Sequence, residues 1–242
     1  MSKIIVITGG LSGIGNYLSK KFSKNNKVYI LARNKTKIQE MQKKICNNNI
    51  RIIECDLLNK KNIENAFKAI SNECEYVDVL INNAAYDNMS SIENYDYDEF
   101  KKIIDTNLTA KMYCMKLAIN LLNKSKYASI INISSRLSKK PMLNSSAYCC
   151  AASAINMLTK CAAIEFEAYK VRVNCVCPSL TNTPLAKKSY SKKEIASTIN
   201  KSTSKRLCKM DDIYKCICFL ISKNSDYING ENITIDSGIL LK

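Results

Sequence analysis

The 242-residue chain contains no histidine. That absence excludes Ser-His-Asp and Cys-His catalytic groups, histidine general bases and histidine-ligated metals. The chain also lacks the C-x-x-C spacing, although it has twelve cysteines; the close pairs are Cys149/Cys150, Cys175/Cys177 and Cys216/Cys218. Two cysteines without further ligands do not define a zinc site. We therefore expect no metal site and free thiols rather than disulfides.

Long apolar runs are missing as well. No run of about 18 apolar residues occurs, so we expect no membrane span. The short apolar run at the N-terminus leads into glycines and lacks the small-residue cleavage site of a secretory signal. We therefore expect a cytoplasmic protein. Since 46% of the residues are hydrophobic and no low-complexity linker occurs, the chain is predicted to form one domain over residues 1–242.

Charge is strongly unbalanced. Lys and Arg number 37 against 21 Asp and Glu, a net charge of +16. Such a balance is typical of proteins that meet nucleic acid, anionic membranes or acidic substrates. The alternative is compositional drift, because the basic residues are scattered along the chain. No RNA-binding aromatic motif occurs, so we expect anionic small ligands and no nucleic-acid partner.

Short β-branched runs alternate with segments of helical periodicity. The predicted strands are Lys3–Thr8, Lys27–Ala32, Ile50–Cys55, Val77–Asn82, Ser129–Ser134, Val171–Cys177 and Asn232–Ile235. The predicted helices are Asn16–Lys24, Lys35–Cys46, Asn62–Asn72, Phe100–Leu122 and Ala147–Ala168. This alternation predicts an α/β fold: a single doubly wound domain with a parallel sheet, covered by helices on both faces.

Residues 184–206 interrupt the pattern with a polar, basic stretch of weak helical period. A long insertion before the last strand of such a sheet is often a mobile lid over a substrate pocket. A solvated surface helix is the alternative. Candidate pocket residues are Leu185, Tyr190 and Ile195 of this segment, with Met142 and Leu143.

Glycine is scarce, and its placement is informative. Four of the six glycines lie between Gly9 and Gly15, directly after the first predicted strand and at the start of a helix. Glycines there permit a tight turn and let a pyrophosphate approach the backbone, where free amides at the helix N-terminus bind it. The segment therefore predicts a dinucleotide-binding loop.

Several motifs together resemble the short-chain dehydrogenase/reductase family over nearly the whole chain. They are Thr8-Gly9-x-x-x-Gly13-x-Gly15, Asp56 in Glu-Cys-Asp-Leu, Asn82-Asn83-Ala84-Ala85, Asn107 in Asp-Thr-Asn-Leu-Thr, Ser134-Ser135 with Tyr148 thirteen residues on, Pro178–Thr183, and Ile235–Gly238.

The resemblance implies a Rossmann fold with seven parallel strands in the order 3-2-1-4-5-6-7 and a nicotinamide cofactor. The residues that it assigns to the cofactor are Thr8, Gly9, Ser12, Gly13, Ile14, Gly15, Arg33, Asn34, Asp56, Leu57, Asn83, Ala84, Ala85, Tyr148, Pro178, Ser179, Leu180 and Thr183.

The end of the second strand predicts which nicotinamide cofactor binds. NAD enzymes place a carboxylate there, which accepts from the ribose 2′-hydroxyl and would repel a 2′-phosphate. Here Ala32 occupies that position, and Arg33 follows it. A guanidinium can pair with the phosphate, assisted by Ser12 or Asn34. We therefore predict NADP(H); the alternative is that Arg33 is an ordinary surface arginine.

By the resemblance, Tyr148 exchanges a proton with the substrate oxygen, Ser135 binds that oxygen, and Asn107 supports a proton relay. The family has a lysine four residues after the tyrosine, where this chain has Ala152. Lys160, twelve residues from Tyr148, is roughly 18 Å away along a helix. Losing a proton-transfer group commonly costs about 10²–10⁴ in rate, so we expect cofactor binding with low turnover.

Two explanations of Ala152 stay open. It is either an engineered Lys→Ala change or a natural feature of a chain whose site has lapsed or been repurposed. The first describes a reductase in a disabled form, and the second includes a catalytically inert NADP(H)-binding module. Ala85, Ser179 and Ser237 also stand where the family usually has glycine.

The length and plain architecture are most like 3-oxoacyl-[acyl-carrier-protein] reductases. The substrate is therefore predicted to be a carbonyl compound, free or bound to a carrier protein or CoA. Carrier proteins are acidic, and Lys124, Lys126, Lys170 and Arg172 are candidate docking residues. The helices near 100–122 and 147–168 have surplus apolar residues, which favours a homodimer or homotetramer. The alternative is that Met112, Met115, Leu117 and Leu121 pack in the core of a single subunit.

Overall fold

A computed structural model describes residues 2–44 and 48–242 and contains one parallel sheet. Its strands are β1 Ile4–Thr8, β2 Lys27–Ala32, β3 Ile50–Glu54, β4 Val79–Asn82, β5 Ser129–Ile133, β6 Arg172–Pro178 and β7 Asn232–Ile235. The spatial order is β3-β2-β1-β4-β5-β6-β7, and every neighbouring pair is parallel. The predicted fold and strand order are confirmed.

Helices cover both faces of the sheet, and the central strands β1 and β4 are accordingly apolar and buried along nearly their whole length. The helices are α1 Gly13–Phe22, α2 Lys35–Lys44, α3 Lys60–Glu73, α4 Tyr97–Ile104, α5 Ala110–Leu122, α6 Ser146–Glu165, α7 Pro184–Ser189, α8 Lys192–Lys201 and α9 Met210–Leu220. One core cluster lies between the sheet and α3, α5 and α6, and the other between the sheet and α1, α2 and α9.

The helix predicted over residues 100–122 is not continuous. A π-helical turn, Asp105–Thr109, separates α4 from α5 and contains Asn107. Such turns inside longer helices occur frequently at functional sites. Helical periodicity alone predicts one helix here, because a π-turn inserts a residue without adding a proline or glycine that would mark it.

Three helices were missed or only weakly indicated. The helix α9 begins after Lys209 and packs Ile213, Ile217 and Leu220 on the sheet. The predicted lid contains α7, capped by Thr183, and α8, which a capping box between Ser191 and Glu194 begins. The end of the second predicted helix, at Cys46, lies outside the described residues.

Of the helices in the described ranges, α6 alone is long and apolar enough to cross a membrane by length and composition. It lies against β6, and its buried face includes Ala147, Ala151 and Ile155. It is therefore a core helix of this fold.

Candidate active site

A cleft of about 420 Å³ opens at the carboxyl ends of the strands, where the order of the sheet reverses between β1 and β4. Ligands of open α/β sheets bind at this point. Most residues predicted from the sequence line the cleft: Gly9, Ser12, Gly13, Ile14, Arg33, Asn34, Asp56, Leu57, Asn83, Ala84, Ala85, Asn107, Ser135, Tyr148, Ala152, Pro178, Ser179, Leu180 and Thr183.

Thr8 and Gly15 are the two predicted residues that lie behind the cleft wall. The Thr8 hydroxyl accepts hydrogen bonds from the backbone N–H groups of Asn83 and Ala84, each 3.0 Å long. A Cβ at position 15 would lie 2.4 Å from the Gly9 carbonyl oxygen. These two residues therefore shape the glycine loop rather than face a ligand, a distinction that the motif itself does not reveal.

The glycine loop has the features of an anion-binding loop. Gly9 and Gly13 have φ angles of +68° and +50°, in the left-handed region that glycine favours. Ser12 begins α1 without a side-chain cap, so its hydroxyl does not occupy the amides of the first turn, and Ser12, Gly13 and Ile14 line the cleft. Within the described residues, the hydroxyls of Thr106 and Ser179 are buried without a hydrogen-bond partner, and both residues line the cleft. These groups fit a polar, phosphate-bearing cofactor.

Basic side chains gather where β2 ends. Arg33 and Lys37 line the cleft and are exposed. Lys35, between them, points elsewhere and pairs with Glu54, with 3.4 Å between Nζ and Oε1. The Asn34 oxygen accepts from the backbone N–H of Lys37 and so caps α2. Lys37 was missed because one lysine in a lysine-rich helix carries no distinguishing sequence signal.

Asp56 lies beside this basic group at the end of β3. One of its carboxylate oxygens accepts a hydrogen bond of 3.1 Å from the backbone N–H of Leu58. Leu57 and Leu58 extend the wall on the same side of the cleft. The structure thus places Asp56 and Leu57 in the wall of the cleft.

Tyr148 and Ser135 meet at the opposite end of the cleft. Ser135 follows β5, and Tyr148 lies in the first turn of α6. Burial raises the pKa of Tyr148 well above its usual range, and Asp87 and Tyr190 raise it further, while a hydrogen bond with Ser135 opposes the shift. A phenol in this environment keeps its proton at neutral pH.

Asn107 holds the backbone near this pair. Its side-chain oxygen accepts from the Tyr86 backbone N–H at 2.8 Å, and its side-chain nitrogen donates to the Tyr86 carbonyl at 2.8 Å. Both ends of the amide are therefore engaged, and the side chain acts as a brace between the π-turn and the loop after β4.

Asp87 is a cleft residue that sequence reasoning missed. It is 6% exposed and lines the cleft near Tyr148. Its charge raises the pKa of Tyr148, Tyr190 and Tyr95. Its position two residues beyond Ala85, in the loop after a buried strand, was the available signal.

Lys111 was also missed, and it is the buried basic residue of the cleft. Its side chain reaches the cleft from α5, and the residue is 3% exposed. Its Nζ donates a 2.5 Å hydrogen bond to the Ile133 carbonyl oxygen. Burial lowers the pKa of Lys111 to about 8. The available sequence signal was its position, because helical periodicity places this lysine on the packed face of α5.

The residues predicted to line a substrate pocket are only partly in the cleft. Leu185 and Tyr190 line the cleft, whereas Ile195, Met142 and Leu143 do not, and Leu143 is 84% exposed.

The basic residues proposed for carrier docking lie near the amino ends of β5 and β6, away from the cleft. Lys126, Lys170 and Arg172 line a shallow pocket there. Arg172 donates to the Leu220 and Ile228 carbonyls, so it has a structural role. Within one chain, these residues do not form a rim around the cleft mouth.

Comparison with known proteins agrees with this geometry. The family described as short chain dehydrogenase matches residues 3–194. The NAD-dependent glycerol dehydrogenase of Listeria innocua is 25% identical over 240 residues, which cover 99% of this chain and 94% of that protein. This chain therefore belongs to the short-chain dehydrogenase family.

Two solved structures show the same fold with different nicotinamide cofactors. The structure titled ElxO with NADP bound has a TM-score of 0.90, 28% identity and full coverage of both chains. The 3-ketoacyl-(acyl-carrier-protein) reductase of Brucella melitensis, complexed with NADH, has a TM-score of 0.89, 26% identity and 98% coverage of each. The chain is an oxidoreductase-family protein with a nicotinamide-binding fold, and relatives use both cofactors.

Proposed function

We propose that this protein reduces a carbonyl group to an alcohol with NADPH. The observation that carries the proposal is the contact between Ser135 and a protonated Tyr148 in the wall of the cleft. NADPH, when bound, supplies the hydride. Ser135 would bind the carbonyl oxygen, and Tyr148 would give it a proton.

The choice of NADP(H) rests on charge at the end of β2. Ala32 presents no carboxylate, while Arg33 and Lys37 line the cleft there. Since a 2′-phosphate is a dianion near neutral pH, two cations favour it over a hydroxyl. Ser12 and the Asn34 amide nitrogen are further donors in reach of this end.

The substrate is proposed to be a ketone or a 3-oxoacyl thioester. Tyr86, Leu137, Leu185 and Tyr190 form a mostly apolar end of the cleft, with Arg136 beside them. We propose that α7 and α8 form a lid, because Leu185 and Tyr190 of this segment line the same cavity as Tyr148.

The test is NADPH oxidation by this chain and by its Ala152→Lys variant, with acetoacetyl thioesters and simple diketones as substrates. Binding of NADPH and NADH is followed by fluorescence. Tyr148→Phe serves as the control for chemistry. Judged by position 152 alone, the chain should be slower than the variant. If both bind NADPH and neither reduces any carbonyl, the inert NADP(H)-binding module replaces the enzyme.

We also propose a homodimer or homotetramer formed through the outer faces of α5 and α6. Met112, Met157 and Ile164 lie on these helices and are 39%, 60% and 75% exposed. Exposed apolar groups on neighbouring helices favour burial against another copy. Light scattering after size exclusion checks this, and Met157→Lys with Ile164→Lys should yield monomers.

Finally, we propose a cytoplasmic location. The cysteines of the described ranges are free thiols, including exposed Cys150 and Cys161. Exposed thiols persist in a reducing compartment. Cell fractionation with an antibody to the protein checks the location.

A further inference from the structure

Lys111 occupies an unusual place for a lysine. It lies in the first turn of α5, one helical turn after Asn107, and its side chain runs to the floor of the cleft. Ile133, Ser134, Ala152 and Ile155 line the same cleft. The Ser134 hydroxyl donates to the Ala152 carbonyl at 2.9 Å, which joins β5 to α6 at this point. The cleft is therefore lined by both Lys111 of α5 and Ala152 of α6.

Burying this amine is costly, and the structure offers it little compensation. The described ion pairs do not include Lys111. The titratable groups facing it are the thiols of Cys114 on its own helix and of Cys175 and Cys177 on β6. An ammonium has three donors, and the hydrogen bond described for Nζ goes to the Ile133 carbonyl. A buried cation with so few partners, at the floor of a cleft, points to a ligand.

A buried polar network holds the backbone of Lys111 in place. The Asn82 side chain donates to the Lys111 carbonyl at 3.3 Å and to the Asn132 side-chain oxygen at 3.0 Å. Asn132 in turn donates to the Thr159 hydroxyl on α6 at 3.0 Å. Because this network links α5 through β4 and β5 to α6, Lys111 and the helix bearing Tyr148 keep a fixed relation.

We propose that Lys111, from α5, serves as the lysine of this active site in place of the one that Ala152 lacks. The inference rests on the proposed function. Nζ would donate to the nicotinamide end of the bound cofactor and place a positive charge on the Tyr148 side of the cleft. The chain would then turn over without any change at position 152.

The proton balance is simple. When Tyr148 gives its proton to the alkoxide oxygen of the product, the O–H bond of the phenol breaks and a tyrosinate remains. That anion lies in a buried setting beside Asp87, so it needs a counter-charge until solvent returns a proton to it. The protonated Lys111 supplies the charge, and the net proton comes from water.

This inference also bears on the origin of Ala152. A laboratory Lys→Ala change accounts for one missing lysine, but not for a second, buried lysine that lines the same cleft. The placement of Lys111 favours a natural chain in which the position of the lysine differs.

Steady-state kinetics with NADPH and a diketone compare four proteins: the unchanged chain, Lys111→Met, Lys111→Met with Ala152→Lys, and Lys116→Met. Lys116 is an exposed lysine on the same helix and is the matched control. Lys111→Met should lower kcat about 100-fold or more, since a positioned proton-transfer component commonly contributes that much. The double variant should regain at least about ten-fold of this loss, and Lys116→Met should change nothing.

The pH profile separates a functional lysine from a structural one. The unchanged chain should lose activity as the pH rises through about 8, where Lys111 gives up its proton. Lys111→Met should lack that limb. A merely structural lysine would alter stability and leave the shape of the profile unchanged, and that result would overturn the proposal.

Cofactor binding gives a readout that does not depend on turnover. Lys111→Met should weaken NADPH binding about ten-fold, and the double variant should restore it, because a hydrogen bond from a charged donor is worth about that factor. In ¹³Cε-lysine spectra, NADP⁺ should shift the Lys111 signal and leave the Lys116 signal in place.

These outcomes are separable from those of the proposed function. If the unchanged chain reduces no carbonyl, the proposed reductase fails, while the binding and lysine spectra still judge Lys111. If Lys111→Met binds NADPH as tightly as the unchanged chain and NADP⁺ leaves the Lys111 signal unmoved, the inference is overturned. The double variant guards against a folding defect in the single one.

Discussion

Both ends of the cleft carry positive charge, but the cations are exposed to water at one end and buried at the other. At the end of β2, Arg33 and Lys37 are exposed, and water solvates them whether or not a ligand is bound. At the far end, Lys111 is buried and has given up most of its hydration. Exposed cations cost little and are easily gained or lost in a lysine-rich chain. A buried one is costly, so its presence says more about function than the whole net charge of +16.

The largest effect is expected at the buried end, from Tyr148→Phe. Removing the phenol removes the proton donor and should lower kcat about 10²–10⁴-fold with any accepted carbonyl. NADPH affinity should stay within about two-fold, since the glycine loop and the cations Arg33 and Lys37 remain. Single-turnover kinetics and fluorescence titration check the two halves. A variant that keeps its rate would show that another group donates the proton.

The next largest effect is on the free energy of unfolding, which should respond to the buried amine of Lys111 and not to the exposed cations. Lys111→Met removes a charge that folding must desolvate, but it leaves the Ile133 carbonyl without its donor. We expect a net gain in the free energy of unfolding of about 2 kcal/mol at pH 7.

The gain in stability of Lys111→Met over the unchanged chain should depend on pH. Because the folded pKa of Lys111 is about 8 and the unfolded value is 10.5, the unfolded chain binds more protons between these values. The stability of the unchanged chain should therefore rise across that window, and the advantage of Lys111→Met should vanish above it. Urea denaturation of both proteins at pH 7 and pH 10 measures this difference. If the two proteins differ in the free energy of unfolding by the same amount at pH 7 and pH 10, the charge of Lys111 is not the cause of the difference.

At the exposed end, Arg33→Ala with Lys37→Ala should change selectivity rather than rate. We expect NADPH affinity to fall about ten-fold and NADH affinity to stay within about two-fold, because only NADPH carries the 2′-phosphate. Fluorescence titrations with both cofactors at two salt concentrations provide the measurement. Equal losses for both would place these cations elsewhere on the cofactor.

The smallest effect is expected from Lys35→Ala. Lys35 lies between Arg33 and Lys37 in the chain, but it pairs with Glu54 outside the cleft. An exposed pair of this kind contributes little, so NADPH affinity should change by less than about two-fold. The same titration checks it, and a larger loss would mean that charge near β2 acts without regard to position.

Much of the fold could be predicted because the central strands are apolar runs. Ile4–Thr8 and Val79–Asn82, for example, are almost wholly buried, and apolar residues fill every position before the polar residue that ends each strand. The order of the strands came from the resemblance to a family and not from these runs. The π-turn around Asn107 could not be predicted, because its extra backbone residue leaves the surrounding pattern helical.

The residues of the site likewise divide into those that a motif predicted and those that it did not. Gly9, Ser135 and Tyr148 stand at fixed spacings from strand ends, so their motifs located them. Lys111 had no such anchor, since it lines the cleft only through the way that α5 packs against the sheet. Thr8 and Gly15 belong to the motif, yet they support the loop from behind. Motif membership and contact with a ligand are therefore separate properties.

The proposal for Lys111 has an evolutionary consequence. Residues 111 and 152 lie on different helices, and both line the cleft. If Lys111 serves as proposed, an ancestral chain with lysines at both positions could lose one of them without passing through an inactive form. Inspection of position 152 alone would then class such a chain as inactive in error.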